Sequence, residues 1–309
     1  NELKIILYIC YNIIEYDNGE KNMKEKIYVI KNQDSFELED IFECGQCFRW
    51  IKQEDDSYTG VAMGKVINVK QEGNKIYLDN TTKEDFDNIW YDYFDLGRDY
   101  ESMVNTLKVM DEHLEKATEF GEGIRILKQD GWEMLISFII SANNRIPMIQ
   151  RAINNLSKNF GTYIGEYKNQ EYYAFPTPQQ LNKATIEEIR ACSTGFRDKY
   201  IKSTAQIVND ENIDVLEYRK LPTAECLKEL LKFNGVGPKV ADCIALFGMQ
   251  KYDTFPVDVW VKRVMQEFYV EEDLSLTKIR KFGIEKFGDL AGFAQQYLFY
   301  YAREFGIGR

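Results

Sequence analysis

The chain has 309 residues, of which 44% are hydrophobic, and a formal net charge of −11. This composition is typical of a globular protein with two or three hydrophobic cores and argues against a disordered chain. The negative charge weighs against a nucleic acid partner, because long-range attraction to phosphate would be lost, although basic residues clustered on one face would escape that argument.

Residues 1–22 begin without methionine and include an apolar stretch that is too short to span a bilayer. The flanks of this stretch do not resemble those of a signal peptide, so we treat it as an N-terminal extension of unknown role. No run of about 18 apolar residues occurs in the chain, and the sequence therefore predicts no contact with a membrane.

The segment 23–98 has the pattern of a small antiparallel β-rich domain. Short stretches rich in Val, Ile, Tyr and Phe, such as KIYVIKN, YTGVAM and KVINVKQ, partly alternate in polarity. The turn-forming stretches EDDS, MGK and QEGNK separate them. We predict a meander of short strands, with one short helix at SFELEDIFE between the first two strands.

From residue 99 to residue 309 apolar residues recur at helical spacing, which predicts a larger all-α region and an α+β fold class. This part contains no phosphate-binding loop of the P-loop or dinucleotide type, and no HExxH or GxSxG motif. The six cysteines are scattered along the chain, which favours reduced thiols in a cytoplasmic protein over a zinc site.

The stretch 223–247, TAECLKELLKFNGVGPKVADCIALF, predicts two helices joined by a tight turn. Gly235 and Gly237 flank Val236 there, and glycine permits positive φ and close approach of another backbone. Exposed N–H groups at such a turn can hold a DNA phosphate without reading the base sequence. Alternatively, the turn is only a connector between two packed helices.

A lysine and an aspartate follow this turn at fixed spacing. Lys239 lies in the first turn of the second helix, where the helix dipole disfavours its ammonium form. Partial burial would lower its pKa further and make a neutral amine available as a nucleophile. Asp258, nineteen residues later in FPVDVW, should be an ionised helix N-cap that could stabilise positive charge on a sugar or orient the lysine. A solvated lysine and a plain helix cap are the alternatives.

This order of motifs resembles the helix-hairpin-helix (HhH-GPD, endonuclease III-like) DNA glycosylase superfamily, and the lysine resembles its bifunctional branch. Three stretches, ECGQCFRW at 43–50, ILKQDGWEMLISFIISANN at 126–144 and GFAQQYLF at 292–299, are similar to segments of the 8-oxoguanine DNA glycosylases. The resemblance covers about residues 25–305. It implies a DNA glycosylase and AP lyase of base excision repair, which flips 8-oxoguanine out of duplex DNA, excises it and nicks the strand by β-elimination.

The resemblance also implies a monomer that needs no cofactor and no metal. Endonuclease III-like relatives usually hold an iron–sulfur cluster with four C-terminal cysteines, whereas the C-terminus LFYYAREFGIGR contains none. We therefore expect no cluster. A cation at the hairpin carbonyls of Leu231, Phe233 and Val236, as in similar hairpins, stays open. The short loops and the Ile, Lys and Asn content favour a bacterial protein that acts at the nucleoid.

The resemblance assigns roles to residues of the reaction and of the lesion pocket. Lys239 would attack C1′ of the sugar and form a Schiff base, with Asp258 supporting the charge at C1′. Phe299 would stack on the flipped purine, Gln295 would bond its Watson–Crick edge, and Cys243 would pack on its other face.

Gly45 would present its carbonyl to N7–H of the oxidised base, whereas normal guanine carries an acceptor at N7 and would be repelled. Each pocket residue also has a plainer interpretation. Phe299 and Cys243 could be core residues, Gln295 could lie on a solvated helix face, and Gly45 could mark only a turn.

Further residues match DNA contacts of the family. Asn143 would fill the space left by the flipped base, Phe196 would insert between bases, and Arg197 would bond the opposite cytosine; a core aromatic and a surface cation are the plainer interpretations of the last two. Met148 stands where the family has a second cytosine-reading arginine, and since methionine donates no hydrogen bond we expect relaxed opposite-base selectivity. Trp260 replaces the family's phosphate-binding histidine, so that contact is lost or replaced.

Three other functions remain open from the sequence. The same fold could act on another damaged purine, such as a ring-opened one. The chain could also be a non-catalytic helix-hairpin-helix protein that binds double-stranded DNA, or an acidic helical scaffold that never meets DNA. The joint presence of the lysine, the aspartate and the pocket residues argues against the last two, because plain binding would require none of them.

Overall fold

The computed structural model describes residues 28–31, 35–73, 75–270 and 273–308. Its N-terminal part is a five-stranded antiparallel sheet with the spatial order β1-β5-β4-β3-β2. The strands are β1 (Tyr28–Lys31), β2 (Trp50–Lys52), β3 (Tyr58–Ala62), β4 (Lys65–Glu72) and β5 (Lys75–Asp79). The predicted strands and the predicted short helix, α1 (Leu38–Glu43), are confirmed. Residues 1–22 lie outside the described part of the chain.

The connection between β3 and β4 shows how the sequence sets the sheet. Met63 and Gly64 both have positive φ, +52° and +74°, as a two-residue type I′ hairpin turn requires. The resulting register places Ile67 and Val69 on the same face of β4, in a buried cluster with the apolar side of α1. A slip by one residue would turn both side chains away from that core.

The rest of the described chain is mainly helical. The helices are α2 (Lys83–Asp85), α3 (Tyr91–Tyr93), α4 (Tyr100–Lys108), α5 (Glu112–Phe120), α6 (Gly131–Ser141), α7 (Ile146–Phe160), α8 (Pro178–Lys183), α9 (Ile186–Ile189), α10 (Asp198–Asp210), α11 (Thr223–Leu230), α12 (Pro238–Phe247), α13 (Val259–Phe268), α14 (Leu276–Phe287) and α15 (Ala291–Phe305). Short π or 3₁₀ segments lie at Phe86–Trp90, Arg190–Thr194, Gly195–Arg197, Val215–Lys220 and Gly288–Leu290.

Two features of this region were not predicted. A hairpin of β6 (Tyr163–Tyr167) and β7 (Gln170–Tyr173) interrupts the helices, and Arg49 anchors it by donating to the Tyr173 carbonyl at 2.5 Å. Asn143, at φ +50°, separates α6 from α7, because the chain must turn between them. In the part of the chain that the structure describes, no helix combines the length and apolarity needed to cross a membrane. The predicted division into 23–98 and 99–309 stays a prediction.

The motif ECGQCFRW joins the sheet to the helices. The Gln46 amide donates to the Arg125 carbonyl at 2.7 Å and accepts from the Leu127 N–H at 2.8 Å. Because Gln46 is fully buried, these bonds satisfy an amide that would otherwise be costly to bury. The segment around Gly45 is thereby fixed to the chain that leads into α6.

An aromatic series continues from this motif to α12. The Phe48 ring meets the Phe138 ring of α6 edge-on, with centroids 5.6 Å apart. Phe138 in turn stacks on Phe247 at the end of α12, at 5.5 Å. These contacts hold the turn at Gly45 in a fixed position relative to the helix that carries Lys239.

Candidate active site and nucleic-acid interface

The predicted helix–hairpin–helix is formed by α11 and α12. Gly235 has φ +86°, and a Cβ there would come within 2.7 Å of the Tyr200 Cδ2 atom. Val236 N–H donates to the Phe233 carbonyl at 3.1 Å, which closes the turn. Gly237 is the exposed N-cap of α12, and no described residue comes within 4 Å of the position that a Cβ on it would take. The backbone is therefore open to a phosphate at this point.

Lys239, in the first turn of α12, meets two acidic groups. The Cys243 sulfur, by its charge and a hydrogen bond, and the Asp258 carboxylate raise the pKa of Lys239 above its ordinary value, and burial only partly opposes them. Burial raises the pKa of the Cys243 thiol to about 11, although Lys239 opposes this. The expectation of a lowered lysine pKa was wrong, because it ignored these two neighbours. Lys239 is held as an ammonium ion in the free protein.

Asp258 is the N-cap of α13, as the sequence predicts. One of its carboxylate oxygens accepts the N–H groups of Trp260 and Val261, at 2.9 and 2.8 Å. Burial raises the pKa of the Asp258 carboxyl, while the Val261 N–H and the Lys239 charge lower it. The two bonds fix the carboxylate at the helix start, in electrostatic contact with Lys239. The structure therefore brings Lys239, Cys243 and Asp258 together.

Of the predicted lesion-pocket residues, Gln295 and Phe299 lie on α15, Gly45 lies in the turn after α1, and Cys243 lies on α12. Gly45 has φ +82°, and a Cβ there would come within 3.2 Å of the Phe299 Cε1 atom, so only glycine fits without strain. Gln295, 4% exposed, has no hydrogen-bond partner for its Oε1 atom among the described residues. A buried amide without a partner costs stability, unless a ligand supplies the missing bond. The plainer interpretation of Gln295, a solvated helix face, is wrong.

The helix α15 is held close to α12 and α13. At its start Gly292 donates its N–H to the Tyr252 carbonyl at 2.7 Å, and a Cβ on Gly292 would come within 2.5 Å of Leu246 on α12. α13 also packs against α15. The helices that carry Lys239, Asp258 and Gln295 are thus direct neighbours.

The predicted DNA contacts form a second group. Phe196 is 61% exposed, and the Arg197 guanidinium lies over its ring at 4.4 Å. Arg197 itself is buried and donates to the carbonyls of Ala142 and Asn143, at 2.5 and 3.0 Å. The Arg197 guanidinium therefore supports the loop that contains Asn143. Its predicted hydrogen bond to a cytosine stays a prediction. Met148 is exposed in the first turn of α7.

Sequence reasoning missed Tyr200, which links this group to the hairpin. Its ring lies against Gly235 and contacts the Phe196 ring at 6.4 Å between centroids. Phe196 and Tyr200 are four residues apart, about one helical turn, and this spacing was the only local sequence signal for the role of Tyr200.

Trp260 lies under the Arg263 guanidinium, at 5.1 Å. The described residues contain no cluster of three or more metal-ligating side chains; a cation at the hairpin carbonyls remains a prediction.

Comparison with known proteins gives a consistent result. Residues 28–135 match the family described as 8-oxoguanine DNA glycosylase, N-terminal domain, and residues 136–287 match the HhH-GPD superfamily of base excision DNA repair proteins. A crystal structure of the Clostridium acetobutylicum 8-oxoguanine glycosylase/lyase, in complex with double-stranded DNA containing cytosine opposite 8-oxoG, is 51% identical, with a TM-score of 0.89. The match covers 95% of this chain and 100% of that one.

Two curated relatives extend the comparison beyond bacteria. The N-glycosylase/DNA lyase of Saccharomyces cerevisiae is 32% identical over 87% of this chain and 84% of its own length. A probable N-glycosylase/DNA lyase of Methanothermobacter thermautotrophicus is 30% identical over 69% of this chain and 74% of its own length.

Proposed function

The chain belongs to the 8-oxoguanine DNA glycosylase family of the HhH-GPD superfamily, and on this basis we propose that it excises 8-oxoguanine from double-stranded DNA and then nicks the strand. The observation that carries the proposal is the half-buried Lys239, coupled to Asp258 and Cys243 behind an open hairpin turn. A lysine used only for phosphate binding would have no need of a half-buried carboxylate and a buried thiol beside it. The enzyme is therefore a DNA glycosylase with AP lyase activity.

The reaction follows from the residues in the site. After Lys239 loses a proton, its amine forms a bond to C1′ while the C1′–N9 bond breaks and the purine leaves with the bonding electrons and a proton. Asp258, held by two N–H groups, balances the positive charge that develops at C1′. The nitrogen then loses a proton and the C1′–O4′ bond opens, with O4′ taking up a proton, which gives the Schiff base. Loss of a proton from C2′ breaks the C3′–O3′ bond by β-elimination, and Lys239 stays bound until the imine is hydrolysed.

The pocket supplies the recognition of the base. The partnerless Oε1 atom of Gln295 supports its role on the Watson–Crick edge, since the amide offers both a donor and an acceptor. Phe299 lies against Gly45 and would stack on the purine, with the Gly45 carbonyl directed to N7–H. The site would then favour 8-oxoguanine over guanine, because the same carbonyl gains a hydrogen bond with the first base and is repelled by the second.

Opposite-base selectivity is the finer part of the proposal. Met148 is exposed at the start of α7 and donates no hydrogen bond, and Arg197 is engaged with backbone carbonyls. We expect excision opposite bases other than cytosine to be efficient. We also propose that the protein acts as a monomer, without an iron–sulfur cluster, at the nucleoid in the cytoplasm of a bacterium; the five described cysteines, each unpaired and buried, agree with reduced thiols.

Borohydride trapping tests the proposed reaction. The native protein is incubated with duplexes that hold one 8-oxoguanine opposite each of the four bases, alongside Lys239→Gln. We expect a covalent adduct that requires both the lesion and Lys239. Lys281→Gln is the matched control, because Lys281 is an exposed lysine paired with Glu285 on α14 and should leave trapping unchanged. Absence of both adduct and base release from every duplex would refute the proposed function.

A further inference from the structure

Within residues 43–46, every backbone carbonyl except that of Gly45 accepts a hydrogen bond. Three side chains donate hydrogen bonds to the other carbonyls. Arg303 donates to the Glu43 carbonyl at 2.6 Å, Gln296 to the Cys44 carbonyl at 2.7 Å, and Gln129 to the Gln46 carbonyl at 2.8 Å. Among the described residues, none donates a hydrogen bond to the Gly45 carbonyl. The one acceptor left open in this turn is therefore the carbonyl that the proposed function directs to the lesion.

Arg303 lies between aromatic rings of α15 and the turn at Gly45. Its guanidinium lies 5.6 Å from the Phe299 ring centre and 5.3 Å from that of Tyr300. One of its terminal nitrogens lies 3.5 Å from the position that a Cβ on Gly45 would take. The side chain is 19% exposed, so it is largely withdrawn from water. A planar guanidinium can bond a carbonyl and pack on a ring at the same time, which a lysine cannot do.

The helical spacing of α15 explains why these contacts coincide. Gln296, Phe299 and Arg303 are separated by three and then four residues, so they lie along one face of the helix. That face meets the turn of residues 43–46. One helix thereby holds the stacking ring and two of the bonds that fix the turn opposite it.

We propose that Arg303, together with Gln296, is a positioning residue for lesion recognition, an inference that rests on the proposed function. The two side chains fix the two peptides that precede Gly45, and the Arg303 guanidinium also packs against the Phe299 ring. With Arg303 removed, the turn can rotate and the Gly45 carbonyl no longer faces N7–H. Base excision then slows, while chemistry on a site that already lacks its base is unaffected.

A purely structural role for the same bonds makes a different prediction. Glu43 is the last residue of α1 and Cys44 is its C-cap, so Arg303 and Gln296 also satisfy carbonyls at a helix end. Loss of a helix cap alone would lower the stability and reduce every activity in proportion. The ratio of base excision to cleavage of an abasic site separates the two roles.

The test uses Arg303→Met, which keeps the apolar stem, and Arg303→Lys, which keeps the charge. Single-turnover release of 8-oxoguanine is measured opposite cytosine, and strand cleavage is measured on a duplex with a preformed abasic site. We expect Arg303→Met to slow base release by about tenfold, the effect of one lost hydrogen bond, with abasic-site cleavage unchanged. Arg303→Lys should restore part of the loss. Glu304→Gln is the control, because it removes only the exposed ion pair of Arg303.

Two results would overturn the inference while leaving the proposed function intact. One is base release by Arg303→Met at the native rate. The other is an equal fall in base release and abasic-site cleavage, accompanied by a lower Tm. If the native protein itself releases no 8-oxoguanine, the proposed function fails and the inference falls with it.

Discussion

A buried ion pair between Arg49, in the motif ECGQCFRW, and Glu133 on α6 makes the stability of the protein depend on pH. Arg49 and Glu133 lie 3.6 Å apart, with side chains 6% and 12% exposed. Burial raises the pKa of Glu133 from 4.5 to about 7, although Arg49 opposes this. Because the folded pKa exceeds the unfolded one, the stability contribution of Glu133 is complete below the unfolded value and is lost as the pH rises through about 7.

The gap between the two pKa values corresponds to about 3 kcal/mol in the free energy of unfolding. Glu133→Gln mimics the protonated carboxyl at every pH and so removes this dependence. Between about pH 5.5 and about pH 8, the variant should gain about 2 kcal/mol of stability relative to the native protein. The two proteins should differ little only below about pH 4.5, where Glu133 is protonated in both the folded and the unfolded state.

Urea unfolding at a series of pH values, followed by tryptophan fluorescence, measures this difference. The control is Glu285→Gln, since Glu285 is 65% exposed on α14 and its curve should run parallel to that of the native protein. A Glu133→Gln curve that also runs parallel would refute the argument, because it would show that burial does not shift this carboxyl. A variant that loses stability relative to the native protein as the pH rises would refute it as well, by giving the opposite sign.

Three further predictions concern the site. Cys243→Ala removes the largest cause of the raised pKa of Lys239, so the acidic limb of the pH–rate profile for abasic-site cleavage should move to lower pH; an unmoved limb would show that the thiol does not control the amine. Gly235→Ala should destabilise the fold by about 1–2 kcal/mol in urea and weaken DNA binding in a fluorescence titration, because its φ is positive and Tyr200 leaves no room; unchanged binding would contradict this. Met148→Arg should raise the preference for cytosine over adenine opposite the lesion by about tenfold in single-turnover assays, since arginine can donate to cytosine; an unchanged ratio would mean that Met148 lies away from that base.

The order and type of most elements could be predicted because short-range patterns set them. Alternating polarity and the pair Met63–Gly64 determine the β3–β4 hairpin, and helical spacing determines α15. The β6–β7 hairpin carried a similar signal that was missed. Lys168 and Asn169 both have positive φ in its two-residue turn, between segments rich in tyrosine. The surrounding helical pattern concealed it.

The site could be predicted only where a motif carried it. The N-cap role of Asp258 follows from its local sequence, and the structure confirms that role. The raised pKa of Lys239 did not follow, because it depends on how α12 and α13 meet. The bond from Arg303 to Glu43 spans 260 residues of sequence, so no local pattern reveals it. Long-range contacts of this kind require the fold.

The net charge of −11 argued against a DNA partner, and the structure shows why that argument was too coarse. Two cations near the hairpin and α12 are already matched: Lys232 pairs with Glu229 and Arg280 with Asp242. Two of the features that we assign to DNA are uncharged, namely the backbone N–H groups of the hairpin turn and the exposed ring of Phe196. Dipoles and stacking act at contact distance and do not depend on the total charge, whereas a footprint built from lysines would compete with the surrounding acids. A fold that binds DNA in this way can therefore have an acidic surface elsewhere.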